Sequence, residues 1–89
     1  MPSEFEVVVD AQAARDFKQL AKIHHPILPR IKRAIDSLAG DPYQGKPLKG
    51  AKHGCYSLRE GDFRIIYEVY PEKRVVLLIR VGDRKEIYR

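Results

Sequence analysis

The chain has 89 residues, enough for one domain and too few for two, and 44% hydrophobic with 33% charged content is ordinary for a folded soluble protein. Seventeen Lys and Arg against 12 Asp and Glu give a net charge of +5, which favours an anionic partner: nucleic acid, an acidic protein or a membrane surface. A single cysteine, Cys55, excludes an internal disulfide framework and the usual zinc spacings.

One cysteine fits a reducing compartment, and the expected location is the cytoplasm. The acidic start Met1-Pro2-Ser3-Glu4 has no apolar signal core. The longest aliphatic run, Val75 to Ile79, is too short to span a bilayer.

Phe5 to Val9 is β-branched and reads as a strand, and Asp10 is suited to cap the helix that follows. From Ala11 to His24 the apolar positions Ala13, Phe17, Leu20 and Ala21 recur at helical spacing. Arg15, Lys18 and Lys22 lie off that stripe. Pro26 breaks this helix and can start another, in which Ile27, Ile31, Ala34, Ile35 and Leu38 again recur at three and four. Gly40-Asp41-Pro42 stops it. Two amphipathic helices with a short link suggest a helical hairpin.

Tyr43 to Gly54, with Gly45, Pro47, Gly50 and Gly54, reads as a loop. Beyond it the period changes to two. Cys55 to Glu60 is a strand, Gly61-Asp62 a tight turn and Phe63 to Tyr70 a second strand. After the turn Pro71-Glu72-Lys73, Arg74 to Val81 is a third strand. It is apolar nearly throughout, so a central place in the sheet is expected. Gly82-Asp83 should interrupt it before a short tail, Arg84 to Tyr88. The order β-α-α-β-β-β predicts an α+β fold over residues 1–89. An N-terminal helical hairpin packs on one face of a small, mostly antiparallel sheet, and the other face is free for function.

A two-residue turn at Gly61-Asp62 pairs Glu60 with Phe63, Arg59 with Arg64, and Leu58 with Ile65. Side chains alternate between faces. Tyr56, Leu58, Phe63, Ile65, Tyr67 and Val69 then form a core face, and Ser57, Arg59, Arg64, Ile66 and Glu68 the other. Two arginines directly opposite each other repel, at a cost of up to about 1 kcal/mol. An anion between them removes the repulsion, because guanidinium forks hold phosphate in a bidentate way. The plainer alternative is that both reach into water, with Glu68 as a partner.

Arg84 and Tyr88 share a face whether the tail is a strand or a helical turn. A phenol near arginines has its pKa lowered and could act as a general base; a terminal tyrosine simply packed on the sheet is commoner. Lys46, Lys49 and Lys52 could form a phosphate-attracting rim, although a basic loop is more often only solvated. His53 is a candidate acid or base. His24 and His25, at a helix end, read as structural, and Cys55 as a small buried residue. No metal cluster or glycine-rich phosphate loop is present in the sequence, so neither a metal nor a nucleotide cofactor is expected.

The run Cys55 to Val69, with "GDFRIIY" at its centre, the apolar Val75 to Ile79 and the closing "VGDRKEIY" resemble the RelE toxin family. The loop Gly45-Lys46-Pro47-Leu48-Lys49-Gly50 and the two preceding helices are similar too, so the likeness covers nearly the whole chain. It implies the toxin of a bacterial or archaeal toxin–antitoxin pair, a ribosome-dependent endoribonuclease that cuts messenger RNA in the decoding site. In such toxins the ribose 2′-OH attacks the adjacent phosphate and leaves a 2′,3′-cyclic phosphate and a 5′-OH, with neither a histidine pair nor a metal.

By this resemblance Arg64 matches the arginine taken to hold the scissile phosphate. Arg84 matches one taken to help the leaving group or transition state, and Tyr88 the base for the 2′-OH. Arg59 stands where a lysine is usual, and keeps the charge but not the proton-transfer ability. Ser57 stands where another lysine is usual; Lys46, Lys49 or Lys52 would then supply charge from the loop. The sequence ends at Arg89, where some relatives carry a further helix, so the site is expected to be open or covered by an antitoxin. The implied partners are a cognate antitoxin, RelB-like or other, with an amphipathic, partly acidic segment, and the ribosome with its messenger RNA. Two other readings share the scaffold: a ParE-like toxin that binds DNA gyrase and is no nuclease, and an inactive homologue that only binds antitoxin. Arg64, Arg84 and Tyr88 together favour the nuclease.

Overall fold

The computed structural model describes residues 4–48 and 54–83. The elements run β1 (Glu6–Val9), α1 (Ala11–Lys22), α2 (Leu28–Leu38), β2 (Lys46–Pro47), β3 (Cys55–Glu60), β4 (Phe63–Tyr70) and β5 (Val75–Asp83). The strands form one sheet in the order β1-β5-β4-β3-β2. β1 pairs with β5 in parallel, and every other neighbouring pair is antiparallel. This is the expected α+β arrangement, with one short strand more.

Both helices pack on one face of the sheet. Ala13 and Leu20 of α1 and Ile31, Ile35 and Leu38 of α2 share one core with Phe63, Ile65, Tyr67, Val69, Val76, Leu78 and Val81. Each fully buried large aliphatic in such a core contributes about 1.5–3 kcal/mol. α1 ends two residues earlier than its apolar spacing suggests, because His24 turns the chain with φ 52°. His25 then has the structural role expected of it. Its Nδ1 accepts the Ile27 N–H at 3.1 Å, and its ring meets Phe63 edge-on at 5.0 Å. Pro29 rather than Pro26 occupies the first turn of α2, where its missing N–H costs nothing. Asp10 stands at the N-cap of α1 in extended conformation, but its side chain makes no capping bond.

Three features of the sheet differ from expectation. The stretch Tyr43–Gly54 is not loop throughout: Lys46 pairs with Ser57 and Pro47 with Tyr56. A proline is tolerated there because β2 is an edge strand. β5 is an interior strand, but β4 is the middle one of the five, because β1 adds on the far side of β5. β5 also continues through Gly82, opposite Arg64, to Asp83, opposite Phe63.

The partners along β4 jump from Arg80 to Leu78 between Ile66 and Tyr67. Ile79 is therefore an unpaired bulge residue. The bulge reverses the alternation, so Val76 and Leu78 on one side of it and Val81 on the other all reach the same core. The sheet face away from that core is only partly open. Ile66 and Glu68 are 7% and 9% exposed, since β4 is walled by β3 and β5 on both sides. Cys55, expected to be buried, is half-buried. Among the described residues no helix is long and apolar enough to cross a membrane.

Candidate functional site

The turn after β3 determines the site. Gly61 has φ 61°, a conformation natural to glycine at the first position of a two-residue hairpin turn. The turn fixes Glu60 opposite Phe63 and therefore Arg59 opposite Arg64. The two guanidinium groups rise from neighbouring strands on the face away from the helices.

Their surroundings differ. Arg59 is exposed, and its Nε donates to the Gly61 carbonyl at 3.2 Å. Arg64 is half-buried. Its Nη1 is shielded from solvent and has no hydrogen-bond partner, the one such side-chain nitrogen or oxygen among the described residues. A buried donor left unpaired costs about 1–3 kcal/mol, and more when it carries charge. Glu68 does not supply the missing acceptor to Arg64: its Oε1 takes the Tyr70 hydroxyl at 2.6 Å. That bond holds the Tyr70 phenol above its ordinary pKa.

Beside these arginines lies a cleft of about 520 Å³, lined by Gln44, Lys46, Ser57, Leu58, Arg59 and Arg64 among others. Four of the residues singled out in the sequence, Lys46, Ser57, Arg59 and Arg64, thus meet in one place. Lys49, Lys52, Arg84 and Tyr88 lie outside the described residues, as does His53. Ser57 faces Lys46 across the β2–β3 ladder. The β2 pairing therefore brings an amine to the position next to the small hydroxyl.

One element of this site was not singled out from sequence. The Tyr67 hydroxyl accepts the Gly45 N–H at 3.0 Å and so ties the cleft wall to the core. An added Cβ at Gly45 would lie 2.7 Å from that hydroxyl and 2.8 Å from the Ser57 carbonyl oxygen. Only glycine fits there. Tyr67 is fully buried, and burial pushes its phenol above the ordinary pKa, with the Gly45 N–H acting in the opposite direction. It stays protonated at neutral pH and serves as a fixed anchor. A signal existed: a tyrosine on a core face needs a hydroxyl partner, but nothing local names Gly45, 22 residues away.

At its far end the sheet has a second buried polar junction. Asp16 of α1, whose side chain is 11% exposed, accepts Arg80 Nε at 2.9 Å and the Val81 N–H at 2.8 Å through one oxygen. This holds β5 just beyond the bulge, where the strand leads towards residues 84–89.

The geometry is that of an anion site: two facing guanidinium groups, a lysine and a hydroxyl around a cleft, with one charged donor unsatisfied. Comparisons with known proteins identify the family. A family model described as the ParE toxin of the type II toxin–antitoxin system parDE matches residues 7–88. Toxin RelG of Mycobacterium tuberculosis is 35% identical over 71 residues, 73% of this chain and 82% of that protein. The mRNA interferase toxin RelE of Escherichia coli is 30% identical over 79 residues, 83% of this chain and 82% of that protein. Among solved structures, the toxin–antitoxin complex RelBE2 of Mycobacterium tuberculosis contains a chain that superposes with a TM-score of 0.75 at 28% identity, covering 94% of this chain and 95% of that one. The chain is a member of the RelE/ParE family of type II toxin–antitoxin toxins.

Proposed function

We propose that this toxin is a ribosome-dependent endoribonuclease that cleaves messenger RNA in the decoding site and so stops translation. The observation that carries this reading is the unpaired, solvent-shielded Nη1 of Arg64 beside a cleft that also holds Arg59, Ser57 and Lys46. In the proposed reaction the ribose 2′-oxygen bonds to the adjacent phosphorus, and the bond to the 5′-oxygen breaks. The products are a 2′,3′-cyclic phosphate and a 5′-OH. The pentacoordinate transition state carries more negative charge on its equatorial oxygens than the ground state does. A guanidinium already in place, and short of an acceptor, is stabilised more by that charge than by the diester.

Arg64 is assigned to the scissile phosphate and Arg59 to its outer side. Lys46 and Ser57 line the approach, and Lys49 and Lys52 are assigned to further contacts with the RNA. Tyr88 is assigned as the base that takes the 2′-OH proton, and Arg84 to the charge on the leaving 5′-oxygen, which takes its proton from water. The Escherichia coli relative's name, mRNA interferase toxin, supports this reaction class. The solved toxin–antitoxin complex supports a cognate antitoxin as partner. The test is induction of the toxin followed by mapping of messenger RNA ends on ribosomes, with Arg64→Ala alongside. Cleavage by the parent and intact message with the variant are expected.

One observation favours a second reading: the matching family model is described for the ParE toxin. A ParE-like toxin acting on DNA gyrase would leave messenger RNA intact and accumulate DNA breaks, and that result would replace the nuclease assignment.

A further inference from the structure

The wall of the cleft formed by Leu58, Arg59 and Gln44 also borders a second groove, of about 600 Å³, between α2 and β3. Its other side is one stripe of α2: Arg30, Arg33, Ala34 and Ser37, at the i, i+3, i+4, i+7 spacing of a single helix face. Glu60 is the one acid that lines it, and Glu60 is already engaged by Arg30 at 2.9 Å. Among the described residues Arg33 has no carboxylate or other hydrogen-bond partner. The shared corner is held firm, because Gln44 Nε2 donates to Ser37 Oγ at 2.9 Å and to the Asp41 carbonyl at 3.1 Å.

We infer that this groove holds backbone phosphates of the nucleic-acid strand flanking the cleaved position, with Arg33 as the principal contact and Arg30 as the second. The inference rests on the nuclease reading of the cleft and extends it to a strand path along α2. Three observations select a nucleic acid over a protein segment. The groove runs into the cleft through three shared residues. Its charged donors are arginines, whose forks match phosphate. Its apolar lining is slight, Ala34 and Leu58, whereas a helical protein segment is anchored by apolar side chains. The apolar surface of α2 is elsewhere: Ile35 lines a different cleft with Val9, Phe17 and Leu78.

The experiment measures equilibrium binding of the full chain to a single-stranded oligoribonucleotide that spans the cleaved position. That nucleotide carries a 2′-deoxyribose so that no cleavage occurs. Arg33→Gln is the main variant, since Arg33 has no partner whose loss would disturb folding. Arg15→Gln, on α1 with its guanidinium on Gln12, gives the same charge change outside both grooves. Arg33→Gln should weaken binding about five-fold at 0.1 M salt and lower the slope of log K against log salt by about 0.7, the loss of one phosphate contact on a single strand. Arg15→Gln should change neither by as much.

If Arg33→Gln binds like the parent while Arg64→Gln loses affinity, the groove assignment is overturned and the cleft reading stands. If Arg33→Gln weakens binding and Arg64→Gln does not, the groove is supported and the cleft reading fails. A loss of affinity with Arg33→Gln for the antitoxin alone, with RNA binding intact, overturns the proposal in favour of a protein partner.

Discussion

Arg80 and Arg64 are both half-buried on interior strands of one sheet, yet they are treated in opposite ways. Arg80 is satisfied by Asp16, which also caps the Val81 N–H, so it is explained by the fold alone. Arg64 faces another arginine and leaves one nitrogen shielded and unpaired, a cost that no contact among the described residues offsets. A charge that the fold neutralises stabilises structure. A charge that the fold leaves unneutralised at its own expense is available to a ligand.

The largest effect that could break this comparison is on activity. Arg64→Ala should lower messenger RNA cleavage about 10²–10³-fold, the usual loss when one donor to a developing oxyanion is removed. Its folding stability should fall by no more than about 1 kcal/mol and can rise, because the lost packing of the stem is offset by relief of the unpaired Nη1 and of repulsion from Arg59. Chemical denaturation and end mapping on the same preparation check this. A large loss of stability would show that Arg64 is structural after all, like Arg80.

Asp16→Ala should do the reverse. It leaves a half-buried guanidinium and a backbone N–H unpaired, and the expected loss is about 2–3 kcal/mol in urea unfolding. Adding Arg80→Ala to Asp16→Ala should cost less than the sum of the single changes, since the stranded charge goes with its partner. Strict additivity would mean that the 2.9 Å pair contributes nothing in solution.

A smaller effect probes the cleft wall. Tyr67→Phe keeps the ring stacked on Tyr56 but strands the Gly45 N–H, at about 1–2 kcal/mol. It also changes the alkaline limb of stability. The folded Tyr67 phenol titrates above its ordinary 10.0, so above that pH the unfolded chain has lost a proton that the folded chain retains. The contribution is full below about pH 10 and declines as pH rises through the folded value. Urea midpoints compared at pH 8 and pH 10.5 should fall more for the parent than for Tyr67→Phe.

The pair on which the site depends was readable from the sequence because it is local. A glycine that accepts positive φ fixes a two-residue turn, and the turn fixes Arg59 against Arg64 and the alternation of faces. The features that were not readable are held by distant partners. Lys46–Pro47 is too short to show a period and contains a proline, so only its pairing with Ser57 and Tyr56 makes it a strand. The bulge at Ile79 and the run of β5 through Gly82 go with a carboxylate on α1, 65 residues from the Val81 N–H it accepts. Nothing in the sequence around Asp16 sets it apart from the neighbouring polar positions of that helix. The burial of Ile66 and Glu68 follows from β4 being the middle strand, which requires knowing where β1 goes.

The smallest expected effect separates repulsion from the other consequences of removing an arginine. Arg59→Gln keeps a donor that can reach the Gly61 carbonyl but removes the charge facing Arg64. If the two guanidinium groups repel in the free protein, the variant gains stability by about 0.2–1 kcal/mol at low salt. The gain should shrink as ionic strength rises, since Arg59 is exposed and its field is screened within about 10 Å at 0.1 M. A phosphate-mimicking anion such as sulfate should stabilise the parent more than the variant, because only the parent offers two forks. Chloride at equal ionic strength screens without bridging and should not discriminate between them. Equal responses to both salts would mean that the facing arginines do not share an anion, and Arg64 alone would then carry the phosphate.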